Sequence, residues 1–198
     1  MRTISTLKKT LLLLSFGLVI ISCDSDDDIS VHQKSVAEVV AIQTDLNDLN
    51  EALSITGLDV ILESDGPYTF FAPTDEAFAK LLRSTGHHYS SVDQFDSPAE
   101  VELLRNILLY HLLPDENIFS IQFNNKQGQM TTALDANQFT LVMHDNEIVI
   151  TDASSLEARL TKMDMGGSNG VVHKTDRVLL PQEAFQHIDV LNGADDIE

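Results

Sequence analysis

Tyr68-Thr69-Phe70-Phe71-Ala72-Pro73-Thr74-Asp75-Glu76-Ala77-Phe78 decides how this chain folds. Tyr68 to Phe71 have high strand propensity, and Pro73, with no N–H to give, closes the ladder. Thr74 is placed to cap a new helix whose first turn carries Asp75 and Glu76, where negative charge is favoured. Phe78, Leu81 and Leu82 recur at helical spacing and turn that helix onto the core. A buried strand is thus coupled to a helix within eleven residues.

Before this stretch, Ser35-Val36-Ala37-Glu38 has the form of a capping box. Val36, Val39, Val40, Leu46, Leu49 and Leu53 are read as one helix face that breaks before Gly57. Leu58, Val60, Ile61 and Leu62 form a second short apolar element, and Gly66-Pro67 is the turn into the strand. After it, Gly86 to Phe95 is a polar connection containing His87-His88. Adjacent side chains do not share a helix face and no cysteine or ordered acidic partner accompanies them, so the pair is read as exposed loop and no metal is assigned. Ser97-Pro98-Ala99-Glu100 combines a cap, proline at the first helical position and glutamate at the third. Val101, Leu104, Ile107, Leu108 and His111 follow on one face, and Pro114 ends the element.

Phe119 to Met130 reads as polar and turn-rich. Phe139–Met143 and Glu147–Thr151 form a hairpin around His144-Asp145-Asn146. Ser154 and Glu157 predict a capped turn with Leu156 and Leu160 facing inward. Met165 to Gly170 is a flexible turn, Val171 to Leu180 a strand closed by Pro181, and the tail is loose beyond Ile188 or Val190.

The ends set the domain boundaries. Arg2, Lys8 and Lys9 form a positive n-region, and Leu11 to Ile21 an apolar h-region shorter than a membrane span. Ile20-Ile21-Ser22-Cys23 resembles the lipobox of bacterial lipoproteins, with Cys23, the one cysteine, as the lipidated residue. Asp24-Ser25-Asp26-Asp27-Asp28 reads as a solvated tether and also resembles the surface-export signals of some Bacteroidetes lipoproteins. The division expected is therefore 1–22 signal peptide, 23–34 acidic tether, 35–185 one domain, and 186–198 acidic tail. All 31 acidic residues lie beyond residue 22, with nine of the 12 basic ones. That acidity opposes nucleic-acid binding and adsorption to anionic lipid, so membrane contact is expected only through the lipidated end.

Three stretches taken in order resemble the fasciclin (FAS1) domain family. They are Tyr68 to Phe78, Leu109-Tyr110-His111, and Asn169-Gly170-Val171-Val172-His173-Lys174-Thr175-Asp176-Arg177-Val178-Leu179-Leu180-Pro181. The resemblance covers approximately Ser35 to Phe185 and implies an α+β fold, a twisted β wedge or sandwich packed against several helices. It also implies extracellular adhesion or matrix association. Tyr110-His111 matches a segment implicated in integrin contact in some animal members, and Asp75 and Asn169-Gly170 match structural features of the family. Lys174-Thr175 depart from it, standing where more apolar residues are often found.

The residues singled out as structural or binding positions are Thr74, Asp75, Tyr110, His111, Asn169, Gly170, His173 and Asp176. Thr74 and Asp75 are explained by helix initiation and His111 by a hydrogen-bonded core. His173 and Asp176, three apart on an expected strand, fall on opposite faces and make poor proton-sharing partners unless a bulge intervenes. No catalytic, cofactor or metal residues are assigned. The chain lacks a Gly-x-Ser-x-Gly elbow, an EF-hand loop, and acidic pairs fixed across a cleft. The function expected is a lipid-anchored, extracytoplasmic adhesion or binding module, not an enzyme. Its partner is an envelope or matrix protein or polysaccharide, and its place the cell envelope at the outer membrane. The alternatives are a structural or accessory envelope subunit and, with least support, a hydrolase.

Overall fold

A computed structural model describes residues 33–85, 89–135, 137–144 and 147–194, with the side chains of 189–194 left out. Cys23, the signal and most of the tether, His87-His88, the Asp145-Asn146 connection and residues 195–198 lie outside the described residues.

The chain starts with short helices α1 (Val36–Ala41), α2 (Asn47–Thr56) and α3 (Asp59–Glu63), then β1 (Tyr68–Pro73) and α4 (Asp75–Arg83). Next come α5 (Pro98–Tyr110), β2 (Leu112–Pro114), β3 (Gly128–Thr131), β4 (Gln138–His144), β5 (Glu147–Thr151), β6 (Glu157–Gly167), β7 (Gly170–Thr175) and α6 (Gln182–Ala194). The strands form one seven-stranded sheet in the order β2-β1-β7-β6-β5-β4-β3. Only β1 and β7 pair in parallel, Tyr68 beside Gly170 through Pro73 beside Thr175. Beyond β3, Ala133 N–H donates to Leu112 O of β2 at 2.8 Å, so the sheet curls until its two edge strands nearly meet.

Successive side chains of β1 point to opposite faces, and this divides the interior in two. Phe70 and Ala72, with Val172 of β7, face the helices and join an aliphatic core of Val36, Leu49, Leu53, Leu104 and Ile107. Phe71 faces inward with Tyr110, Phe123, Phe139, Ile150 and Leu179.

Local signals hold where they were strongest. Ser35 and Ser97 each close a capping box with Glu38 and Glu100, and Thr74 caps α4. Elsewhere the structure corrects the sequence reading. The face Val36 to Leu53 belongs to two helices: Val40 and Leu46 are six apart, out of step with a helical stripe, and residues 42–46 turn so that Asp45 O accepts Asp75 N–H at 3.0 Å. α5 stops at Tyr110, and Leu112–Pro114 becomes a strand on β1. The turn-rich segment holds a 3-10 helix at Ser120–Asn125 and the edge strand β3.

The capped turn at Ser154–Glu157 does not form, because Asp152 takes the capping role, its Oδ1 accepting Ser154 N–H at 2.9 Å. Glu157 then opens β6 and Leu156 faces out, 46% exposed. β6 continues to Gly167, leaving a tight Ser168-Asn169 turn before β7. β7 ends at Thr175, and Val178–Leu180 is buried without a ladder. Side chains supply its acceptors: Leu179 N–H donates to His111 Nε2 at 2.9 Å and Leu180 N–H to Asp152 Oδ2 at 2.7 Å. α6 crosses the expected 185/186 boundary and runs to Ala194.

Candidate functional site

Thr74 and Asp75 stand where β1 becomes α4, and each serves a different helix. Thr74 Oγ1 accepts Ala77 N–H at 3.3 Å, the first turn of α4. Asp75 reaches back 27 residues: its Oδ1 accepts Asp48 N–H at 3.0 Å and its Oδ2 accepts Asn47 Nδ2 at 2.9 Å. α2 begins after Leu46, which has no side-chain acceptor, so Asp75 supplies the missing cap. The crowding has an electrostatic consequence. Desolvation and the neighbouring Asp75 and Glu51 carboxylates push Asp48 above the usual carboxylate range.

Asn169-Gly170 is a second junction. Asn169 Oδ1 accepts Val36 N–H of α1 at 2.8 Å, while its Nδ2 donates to Leu62 O and Ser64 O at 2.8 and 2.6 Å. Its backbone O accepts Tyr68 N–H at 3.0 Å, so one residue fixes the starts of α1 and β1 and the end of α3. Gly170 lies so close to β1 that a Cβ there meets Tyr68 O at 2.2 Å.

Tyr110 and His111 end α5 inside the barrel, 1% and 0% exposed. The Tyr110 hydroxyl donates to Gln138 O at 2.7 Å, and burial pushes its pKa up to about 12. His111 Nδ1 lies 2.7 Å from Ile107 O, and its Nε2 faces Leu179 N–H. A carbonyl only accepts and a backbone N–H only donates, so the ring is neutral with its proton on Nδ1. Burial pulls its pKa down to about 4.

His173 is held in the opposite tautomer. Its Nδ1 accepts Asp164 N–H at 3.3 Å and its Nε2 donates to Ile118 O at 2.8 Å. The ring stacks on Phe71 and packs against Phe123, with centroids 5.7 and 5.1 Å apart, and burial lowers its pKa. Asp176 is engaged elsewhere, its Oδ1 accepting Arg159 N–H at 2.7 Å. Seven of the eight positions therefore gather into two junctions and a buried polar lining, while Asp176 serves β6 apart from them and shares no proton path with His173. Both histidines are locked neutral by backbone groups, an arrangement that positions chain segments.

Residues 44–181 match the Fasciclin domain. The chain belongs to that family. The Synechocystis protein sll1483 is 30% identical over 147 residues, covering 74% of this chain and 73% of its own. Transforming growth factor-beta-induced protein ig-h3 of Oryctolagus cuniculus is 26% identical across 86% of this chain. Periostin of Homo sapiens is 27% identical across 79% of it. The chain spans 23% and 17% of those two animal proteins. Among solved structures, a FAS1 domain pair from the insect cell adhesion molecule Fasciclin I superimposes with a TM-score of 0.64 at 17% identity, over 78% of this chain and 53% of that one. At that identity the likeness is one of fold.

The departure from the family pattern at Lys174-Thr175 has a structural account. Lys174 is 4% exposed and extends from β7 to Asp45 Oδ1 and Gln43 Oε1 in the α1–α2 turn. Hydrogen bonding to Lys174 holds Asp45 below the usual carboxylate range. Thr175 Oγ1 donates to Arg177 O at 2.8 Å and turns the chain out of β7. Sequence reading missed Asp152, Asp164 and Thr69. The spacing Asp152-x-Ser154 was the available signal for the first. Thr69 Oγ1, which donates to Glu116 O and accepts Ile118 N–H, carries no local signal.

Cavities also open at the surface of the described residues. A cavity of about 320 Å3 lies between α2, α4 and Tyr89–Ser91, with Asp48 and Arg83 in its wall. A larger one, about 480 Å3, separates β2 from β3 and is lined by Pro114, Glu116, Lys126, Gln129 and Thr131 among others. No group of three or more metal-ligating side chains occurs among the described residues.

Proposed function

We propose that this chain is a lipid-anchored, extracytoplasmic adhesion or binding module of the cell envelope, whose ligand is a protein or polysaccharide. The observation that carries the reading is the use of all eight motif positions inside the domain. Their side chains are buried or committed to backbone groups, as in a scaffold that presents its surface, and family members occur in cell adhesion proteins. Support for the anchor comes from the charged n-region, the apolar Leu11–Ile21 run and the small residue before Cys23, in the order a lipobox requires. The aspartate run after Cys23 supports placement at the outer membrane with surface exposure.

Palmitate labelling and membrane fractionation of the wild-type chain and a Cys23→Ala variant test the anchor, and protease treatment of intact cells tests placement. Labelling that depends on Cys23, with the domain digested from outside, is the expected result. Membrane association and labelling retained in Cys23→Ala overturn the anchor. A labelled domain protected from external protease favours an accessory role inside the envelope over adhesion.

A further inference from the structure

β3 ends the sheet, and its outer edge borders the 480 Å3 cleft. Which backbone groups face that cleft follows from the pairing. Residues opposite one another in an antiparallel ladder alternate between pairs that exchange hydrogen bonds and pairs that do not. Thr132 N–H donates to Asn137 O at 2.8 Å, so the next pair, Thr131 with Gln138, is of the second kind. Gln138 O is correspondingly free to accept the Tyr110 hydroxyl. Gln129, two residues away, shares the orientation of Thr131. The N–H and C=O groups of both therefore point away from β4 and into the cleft.

The far wall is unlike this one. Phe71 N–H donates to His111 O at 3.0 Å, which by the same alternation turns Leu112 and Pro114 outward from β2. Leu112 O is taken by Ala133 N–H and closes the narrow end. Pro114 has no N–H, so that edge is blunted, as edge strands commonly are. β3 carries no such protection: Gly128-Gln129-Met130-Thr131 contains neither charge nor proline, and no bulge interrupts its pairing with β4.

We propose that the cleft takes an extended, basic peptide segment, which adds to β3 as an eighth strand. The edge offers donor and acceptor together at Gln129 and again at Thr131, about 7 Å apart, the two-residue repeat of a strand and of nothing in a sugar chain. Charge selects the sequence. Lys126 is already paired with Glu116 at 2.9 Å, Asp115 stands exposed in the same wall, and the whole chain carries a net charge of −19. A cationic segment is attracted and a second copy of this chain repelled. The inference rests on the binding-module reading and names its partner class.

The test uses the full chain and an eight-residue peptide alternating lysine and valine, blocked at both ends. Binding is read by fluorescence anisotropy and by amide hydrogen exchange. Expected results are slowed exchange at Gln129 and Thr131, and loss of binding when alternate peptide amides are N-methylated or lysine is replaced by glutamate. Thr131→Pro removes an N–H that the ladder does not use, so it weakens binding by about tenfold while the melting temperature holds. Asp115→Asn weakens the lysine peptide without touching the strand edge. Equal binding of the N-methylated peptide, absence of protection at the two amides, or dimerisation through β3 without peptide binding each overturns the inference. Failure of peptide binding, with Cys23-dependent surface display intact, removes this partner class and leaves the binding-module reading standing.

Discussion

The two cores of this domain lie on opposite faces of β1 and are built by different means. On the helix side, Val36, Leu49, Leu53, Leu104 and Val172 pack together; α1 and α5 start at local caps, while α2 takes its cap from Asp75. On the barrel side, Phe71, Tyr110, Phe123 and Phe139 surround polar groups whose partners lie far along the chain. His111 serves Leu179 across 68 residues, His173 serves Ile118 across 55, and Asp152 serves Leu180 across 28. The starts of α1, α4 and α5 are capped within four residues, whereas a barrel needs buried N–H and C=O groups satisfied wherever the ladder stops. The first kind of core is assembled largely from neighbours, the second from agreements at a distance.

Gly170 stands at the seam, so its substitution should damage both cores and produce the largest effect. A Cβ there lies 2.2 Å from Tyr68 O, and neither strand can yield without breaking the β1–β7 ladder. Gly170→Ala is expected to lose more than about 4 kcal/mol or fail to fold, measured by urea unfolding followed by circular dichroism. Gly166→Ala, with nothing within 4 Å of its new Cβ, is the control and should unfold near the wild-type midpoint. An alanine at 170 tolerated like the one at 166 breaks the idea of a shared seam.

His111→Ala separates the two cores. It orphans Ile107 O and Leu179 N–H and opens a cavity, at an expected cost of about 3–5 kcal/mol. Acid gives the same contrast without mutation. The folded pKa near 4 lies below the unfolded value near 6.5, so the unfolded chain binds the extra proton between them. The His111 contribution is therefore complete above pH 6.5 and is lost as pH falls toward 4, by at most about 3 kcal/mol. His173 acts in the same direction. Most carboxylates remain ionised between pH 6.5 and 5, so unfolding free energies across that interval isolate the histidines. Stability that is flat there removes the neutral-histidine account of the barrel.

Against these, the helix side should yield only small local losses. Ser97→Ala removes the cap that accepts Glu100 N–H at 3.3 Å and should cost about 1 kcal/mol by thermal melting, independent of pH between 6.5 and 5. The same locality explains what could be read in advance. Ser35, Thr74 and Ser97 announce their helices in sequence, and Tyr68 to Phe78 announces the strand that divides the cores. The helix break at residues 42–46, the end of β7 at Thr175 and the edge strand β3 were not legible. Each is fixed by a contact from elsewhere: Asp75 and Lys174 on Asp45, His111 on Leu179, and Phe139 and Leu141 opposite Met130 and Gly128.

Lys174, like Asp75 and Asn169, ties the helix side to a distant segment, and its removal should have the smallest effect. The lysine is 6% exposed in its side chain while Asp45 is 53% exposed, so the pair is desolvated on one side only. Deleting the aspartate leaves a buried ammonium with Gln43 alone, whereas deleting the lysine returns an exposed carboxylate to water. Lys174→Met keeps the apolar stem and dispenses with the charge, so the expected change is within about 1 kcal/mol of wild type in urea unfolding. Asp45, held low by Lys174, contributes stability above its unfolded pKa that is lost as pH falls through the folded one, and the variant should lose this acid dependence. A loss above about 3 kcal/mol shows instead that the ammonium bridge from β7 to the α1–α2 turn sets the helix break. In that case Lys174, 129 residues from Asp45, joins Asn169 as a distant polar contact on which the helix-side core depends.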